Sequence, residues 1–131
     1  MNERDLSEFS IGAIESGDFD VGSFDHEAHV YAAWRFLETL PVLEAIERFS
    51  SALKRVTVRL GVPGKYHDTV TWFWMLLIAE RRRPGEDWPR FRNGNPDLFD
   101  KDDNILLRYY SSERLWSDEA RRQFLLPDKA A

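Results

Sequence analysis

The chain has 131 residues, a formal net charge of -5 and no cysteine. This length fits one domain, and the lack of cysteine excludes disulfides, thiolate nucleophiles and zinc sites built on cysteine. The modest negative charge argues against a general nucleic-acid-binding protein, because such proteins usually carry a basic excess.

The hydrophobic content indicates a packed globular protein. Hydrophobic residues make up 43% of the chain and include five Trp and nine Phe. Residues 1–20 are acidic and interrupted by glycine, so they do not resemble a secretory signal. The longest apolar run, residues 70–79, is too short to span a bilayer. We therefore expect a cytoplasmic protein without a membrane partner.

Residues 1–23 are predicted to form an acidic N-terminal arm, followed by a single helical domain over residues 24–131. Within the arm, Phe9, Ile11 and Ile14 are compatible with either a short helix or a packed extended segment. The first few residues are expected to be weakly ordered, as chain ends often are.

Apolar residues at helical spacing predict three long helices over residues 25–40, 41–60 and 66–82. Pro41 and Gly61 mark boundaries between them. The third helix is apolar on most sides, which is typical of a central helix, although a buried strand over residues 70–78 is an alternative. The predicted inward stripe of the second helix is Leu43, Ile46, Phe49, Leu53, Val56 and Leu60.

The rest of the chain predicts shorter elements. Residues 86–100 are expected to be irregular, and residues 101–110 are expected to form a fourth helix. Ser117 is predicted to cap a last short helix that reaches about Phe124. The predicted fold is all-α, with a three-helix antiparallel core bundle and short C-terminal helices packed on it.

The three histidines, His26, His29 and His67, are predicted to meet at one end of this bundle. Short connections make consecutive helices antiparallel, so the starts of the first and third helices share one end. His26 and His29 are one turn apart on the apolar side of the first helix, and His67 opens the third. The positive end of a helix dipole favours neutral imidazole, which a metal or a general base requires.

This arrangement predicts a site for a divalent metal, Zn or Fe, held by His26, His29 and His67. Tyr66 or Asp25 would assist proton transfer, and Thr71 could orient the ring of His67. The alternative is that the histidines are hydrogen-bonded core residues. The sequence lacks the His-Glu-x-x-His spacing of zinc proteases and the glutamates of a di-iron bundle.

Several segments together carry a resemblance: residues 24–29 followed by Ala33-Trp34, residues 64–71, Asn95-Pro96-Asp97-Leu98, and Tyr109-Tyr110-Ser111. The chain resembles a group of small bacterial proteins without an established function. The resemblance covers most of the chain after residue 23. It implies a self-standing bacterial domain, and it implies no activity, cofactor or site residue.

The sequence leaves three functions open. The leading hypothesis is a small metal-dependent or histidine-dependent enzyme that acts on a small molecule. The second is a non-catalytic helical module that binds a small ligand or a partner helix, and the third is a structural subunit of a larger complex. The aromatic side chains of Trp34, Trp72, Phe73 and Trp74 are interpreted mainly as core residues, and the second function would make them a stacking wall for a ligand.

Overall fold

The computed structural model describes residues 4–129, which form α-helices and short 3-10 helices and contain no β-strand. The predicted all-α helical bundle is confirmed. The α-helices are α1 (Ile11–Ser16), α2 (His26–Thr39), α3 (Val42–Arg59), α4 (Asp68–Arg81), α5 (Trp88–Gly94), α6 (Ser112–Leu115) and α7 (Asp118–Arg122). The 3-10 helices are Val21–Ser23, Pro63–Lys65, Pro96–Phe99 and Ile105–Arg108.

Helices α2, α3 and α4 pack against one another and form the core of the bundle. Their boundaries have local causes. The carboxylate of Asp25 accepts a hydrogen bond from the backbone N–H of Ala28 and so caps α2, whereas Pro41 directly precedes α3. Helix α4 also packs against α7, so it contacts neighbours on three sides. This position explains why apolar residues surround most of its circumference.

Helix α3 is strongly one-sided, but its buried face differs from the predicted stripe. Ile46, Phe49 and Val56 are buried, whereas Leu43 is 74% exposed and Leu60 is also exposed. Leu43 precedes Phe49 by six residues, which places it roughly 120° around the helix from Phe49. The prediction that Leu43 points inward was therefore wrong.

The N-terminal arm is part of the same core. Leu6, Phe9 and Ile14 are buried in the hydrophobic cluster that the three long helices form. The short-helix alternative is the one found, since α1 packs against α2 and α3. An ion pair of 2.6 Å between Glu15 and Arg48 adds to this contact. The weak order expected at the first few residues concerns positions outside the described range.

Two predictions for the second half of the chain were wrong. Residues 86–100 are not irregular, because the carboxylate of Asp87 caps α5 by accepting from the N–H of Arg90. The predicted helix over residues 101–110 is reduced to a 3-10 turn that begins at Ile105. Here the side chains of Asp100 and Asn104 accept backbone N–H bonds, which compete with regular helix formation.

The C-terminal segment packs over α4, as predicted. The hydroxyl of Ser117 caps α7 by accepting from the N–H of Ala120. The buried Tyr110 donates its hydroxyl proton to the carbonyl of Leu125 over 2.6 Å. Within residues 4–129, no helix is both long and apolar enough to cross a membrane.

The burial pattern predicts a large effect for one truncation and a small effect for another. Phe9 is 1% exposed, so Phe9→Ala should lower the free energy of unfolding by about 3 to 5 kcal/mol. Leu43→Ala, on the exposed side of α3, should change it by less than about 0.5 kcal/mol. Urea denaturation followed by circular dichroism measures both values. Equal effects of the two substitutions would contradict the placement of the N-terminal arm in the core.

Candidate functional site

A cavity of about 580 Å³ lies between α2, α3 and α4. It is bordered by the start of α2, the end of α3 and the start of α4, which is the arrangement that an antiparallel path produces. The linker between α3 and α4 and the residues just before α2 border the same end. The lining includes Phe24, Val30, Ala33, Phe49, Leu53, Val56, Leu60, Val70, Trp74 and Ile78.

The polar residues of the cavity lie on the segments that close this end of the bundle. They are Asp25, His26, His29, Thr57, Lys65, Tyr66, His67 and Thr71. All three histidines thus border one cavity, as do the two residues predicted to transfer protons. The chemical capacity of each side chain depends on the hydrogen bonds that it already makes.

Both ring nitrogens of His67 are hydrogen-bonded to backbone groups. Its Nδ1 accepts a hydrogen bond of 3.2 Å from the N–H of Val70, and its Nε2 lies 2.7 Å from the carbonyl oxygen of Leu115. A carbonyl can only accept, so Nε2 carries the proton and the ring is a neutral N-cap of α4. Burial lowers the pKa of His67, although the hydrogen bond to the Leu115 carbonyl acts in the opposite direction. Thr71 does not orient this ring, because its hydroxyl donates to the backbone carbonyl of His67.

His26 has one nitrogen committed. Its Nε2 donates to the carbonyl of Leu98 over 2.8 Å, and the ring meets the indole of Trp74 edge-on at 5.0 Å. The residue is otherwise exposed. These contacts attach the start of α2 to the 3-10 helix Pro96–Phe99.

His29 differs from the other two histidines because its ring nitrogens make no hydrogen bond to any residue in the range 4–129. The ring stacks on Phe24 at 3.9 Å and borders the cavity. Burial, together with the nearby charge of His26, lowers the pKa of His29 to about 4, although Asp25 acts in the opposite direction. His29 is therefore neutral at physiological pH and offers one donor and one acceptor.

The two predicted proton-transfer residues have other partners. The carboxylate of Asp25 caps α2 and pairs with Arg4 at 2.9 Å. Burial alone would raise the pKa of Asp25. The hydrogen bonds from Arg4 and from the backbone N–H of Ala28 outweigh this effect and lower the pKa. The hydroxyl of Tyr66 donates to Asp68 over 2.7 Å. Burial and Asp68 raise the pKa of Tyr66, so the phenol stays protonated.

The predicted metal ligands do not form a coordination group. Among residues 4–129, no set of three or more His, Asp, Glu or Cys side chains is placed to hold a metal ion. The bonds of His67 and His26 explain this result, because together they occupy three ring nitrogens with backbone groups. The prediction of a Zn or Fe site has no support in this part of the chain.

The predicted site did not include the α3 side of the cavity. Phe49, Leu53 and Val56 form this wall, and their spacing indicated only core packing. No sequence signal separates a side chain that borders a cavity from one that fills the core. Of the four aromatic residues considered as a stacking wall, only Trp74 borders the cavity, whereas Trp34 packs against Trp88 and Phe91.

Comparison of the chain with known protein families, with curated proteins and with solved structures found no match.

The role of His67 predicts a stability effect. His67→Ala removes the cap of α4 and leaves the Leu115 carbonyl without its partner, which should cost about 2 kcal/mol or more. His67→Asn restores a good capping residue and should recover part of this loss. Thermal unfolding with and without zinc checks both expectations. A zinc-dependent rise in Tm that His67→Ala abolishes would contradict the structural role.

The environment of His29 predicts its titration. The unfolded chain binds a proton at this residue near pH 6.5, but the folded protein does so only near pH 4. The contribution of His29 to stability is therefore complete above about pH 6.5 and is lost as the pH falls towards 4. NMR titration of the imidazole resonances measures the pKa directly, with His29→Gln assigning the signal. A midpoint near 6.5 would show that the ring is solvated.

Proposed function

We propose that this protein binds a small, mainly apolar molecule in the cavity between α2, α3 and α4. The observation that carries this proposal is the pairing of an apolar cavity with one histidine, His29, whose nitrogens have no partner among the described residues. Ligand sites commonly combine a largely apolar wall with a few polar groups that fix the orientation of the ligand.

The size of the cavity supports a ligand rather than a packing defect. Its volume of about 580 Å³ falls in the range of roughly 300 to 1,000 Å³ that is usual for small-molecule sites. Protein interiors are otherwise close-packed, and voids larger than a water molecule are few. A bound apolar molecule would cover the side chains of Leu53, Leu60 and Val70, which border this space and are at least partly exposed.

Binding is better supported than acid–base or metal catalysis. A general base works best with a pKa near the working pH, and the pKa of His29 is about 4. The raised pKa of Tyr66 makes its phenol a poor proton donor to a substrate. The metal-dependent reaction lacks a ligand group in residues 4–129. We therefore propose a binding module in place of the metal-dependent enzyme that the histidines first indicated.

The cavity predicts that one bulky substitution will block binding. Nile red, a neutral dye that fluoresces in apolar surroundings, serves as the probe. Leu53→Trp places an indole at the cavity wall and should weaken dye binding at least tenfold. Leu76→Trp, a matched change on an exposed position of α4 outside the cavity, should leave binding within about twofold of the wild type.

Circular dichroism and thermal unfolding establish that both variants are folded. The proposal would be overturned if the dye bound the wild type and both variants equally, because the site would then lie elsewhere. Absence of dye binding, together with no increase in Tm on adding apolar compounds of this size, would also overturn it.

A further inference from the structure

The hydrogen bonds around the cavity restrict the polar group that a ligand can carry, and this inference rests on the proposed function. Thr71 donates its hydroxyl proton to the carbonyl of His67, and Tyr66 donates to Asp68. Thr57 donates to the carbonyl of Lys54. Each of these three hydroxyl groups already donates its proton to a protein group, so its oxygen can only accept a hydrogen bond from a ligand.

His29 supplies the complementary groups. It lies in the first turn of α2, borders the cavity and makes no hydrogen bond within residues 4–129. A neutral imidazole has one N–H donor and one acceptor nitrogen. The neutral side chains described here therefore offer a ligand one donor, at His29, and acceptors at His29, Thr57, Tyr66 and Thr71.

The charged groups near this end do not provide a partner for a buried ion. Only Asp25 and Lys65 among the lining residues are charged, and both are exposed. Asp25 is paired with Arg4. Around the linker, the ammonium of Lys54 lies over the ring of Tyr66 at 5.2 Å, Asp68 accepts from Tyr66, and Arg121 donates to the carbonyl of Gly64.

The N-termini of α2 and α4, which adjoin the cavity, are already capped by side chains of the protein. Asp25 caps α2 and His67 caps α4. Glu27 and Asp68 add negative charge to the first turns, which offsets the positive end of each helix dipole. A carboxylate or ammonium group that entered the apolar part of the cavity, beyond the exposed residues Asp25 and Lys65, would lose its hydration without gaining a buried opposite charge, and this loss is costly.

We infer that the ligand is an uncharged amphiphile, an alcohol or phenol whose hydroxyl bonds to His29 while its apolar part lies along α3 and α4. A hydroxyl has one proton to donate and two lone pairs with which to accept. It can donate to the acceptor nitrogen of His29, or to Tyr66 or Thr71, and it can accept from the N–H of His29. An apolar chain then meets Leu53, Leu60 and Val70.

A series of compounds with one tail and different head groups tests this inference. Octanol, octanoate and octylamine displace Nile red from the wild-type protein near pH 7, where the last two are ionised. Octanol should bind at least tenfold more tightly than either ion. His29→Leu removes the donor and acceptor, so it should weaken octanol binding about tenfold, and it should weaken the binding of Nile red, which has no hydroxyl, by less. His29→Gln keeps a neutral donor and acceptor and should restore part of the affinity for octanol.

The outcomes separate this inference from the proposed function. If all three compounds displaced the dye equally, the cavity would bind apolar molecules without selecting the head group, and only the inference would fail. Tighter binding of octanoate, lost in Lys65→Met, would overturn it in favour of an anionic ligand held by Lys65. Failure of the dye and of all three compounds to bind would reject the proposed function itself.

Discussion

The two hydrogen bonds of the His67 ring are the constraint on which this end of the molecule depends. One bond starts α4, and the other holds the carbonyl of Leu115 at the end of α6. Two residues later, the hydroxyl of Thr69 donates to Gln123 and accepts from the N–H of Leu125. The central helix is thereby attached to the C-terminal segment at its first turn, and the linker that closes the cavity is fixed in place.

The three histidines have different roles. Both ring nitrogens of His67 are hydrogen-bonded to the backbone, and Nε2 of His26 is hydrogen-bonded to the carbonyl of Leu98. His29 faces the cavity without a protein partner in the described range, so it alone has both nitrogens free for a ligand. The three histidines suggested a metal site in the sequence. In the structure, His26 and His67 hold segments of the fold together, and His29 is a neutral polar group at an apolar cavity.

The sequence predicted the elements whose signals are local and repeated. The three long helices follow from apolar spacing bounded by Pro41 and Gly61, and short connections then bring the histidines to one end. Residues 101–110 were misassigned because polar side chains such as Asn104 bind the backbone and stop a helix that apolar spacing favours.

The hydrogen-bond partners of the site could not be predicted in the same way. Leu115 lies 48 residues beyond His67, and Leu98 lies 72 beyond His26, and both accept through backbone carbonyls that leave no trace in the sequence. The cavity wall on α3 could not be predicted from the sequence either, because Leu53 has the same apolar spacing as the fully buried Ile46. Where three helices leave space is a property of their packing, which only coordinates reveal.

The most direct test of this account is to locate a bound amphiphile by nuclear Overhauser effects between octanol and the labelled protein. We expect contacts from the ligand chain to the methyl groups of Leu53, Leu60 and Val70, and a shift of the His29 ring resonances when octanol binds. Contacts confined to exposed methyl groups, such as those of Leu43 and Val58, with the His29 resonances unchanged, would contradict it.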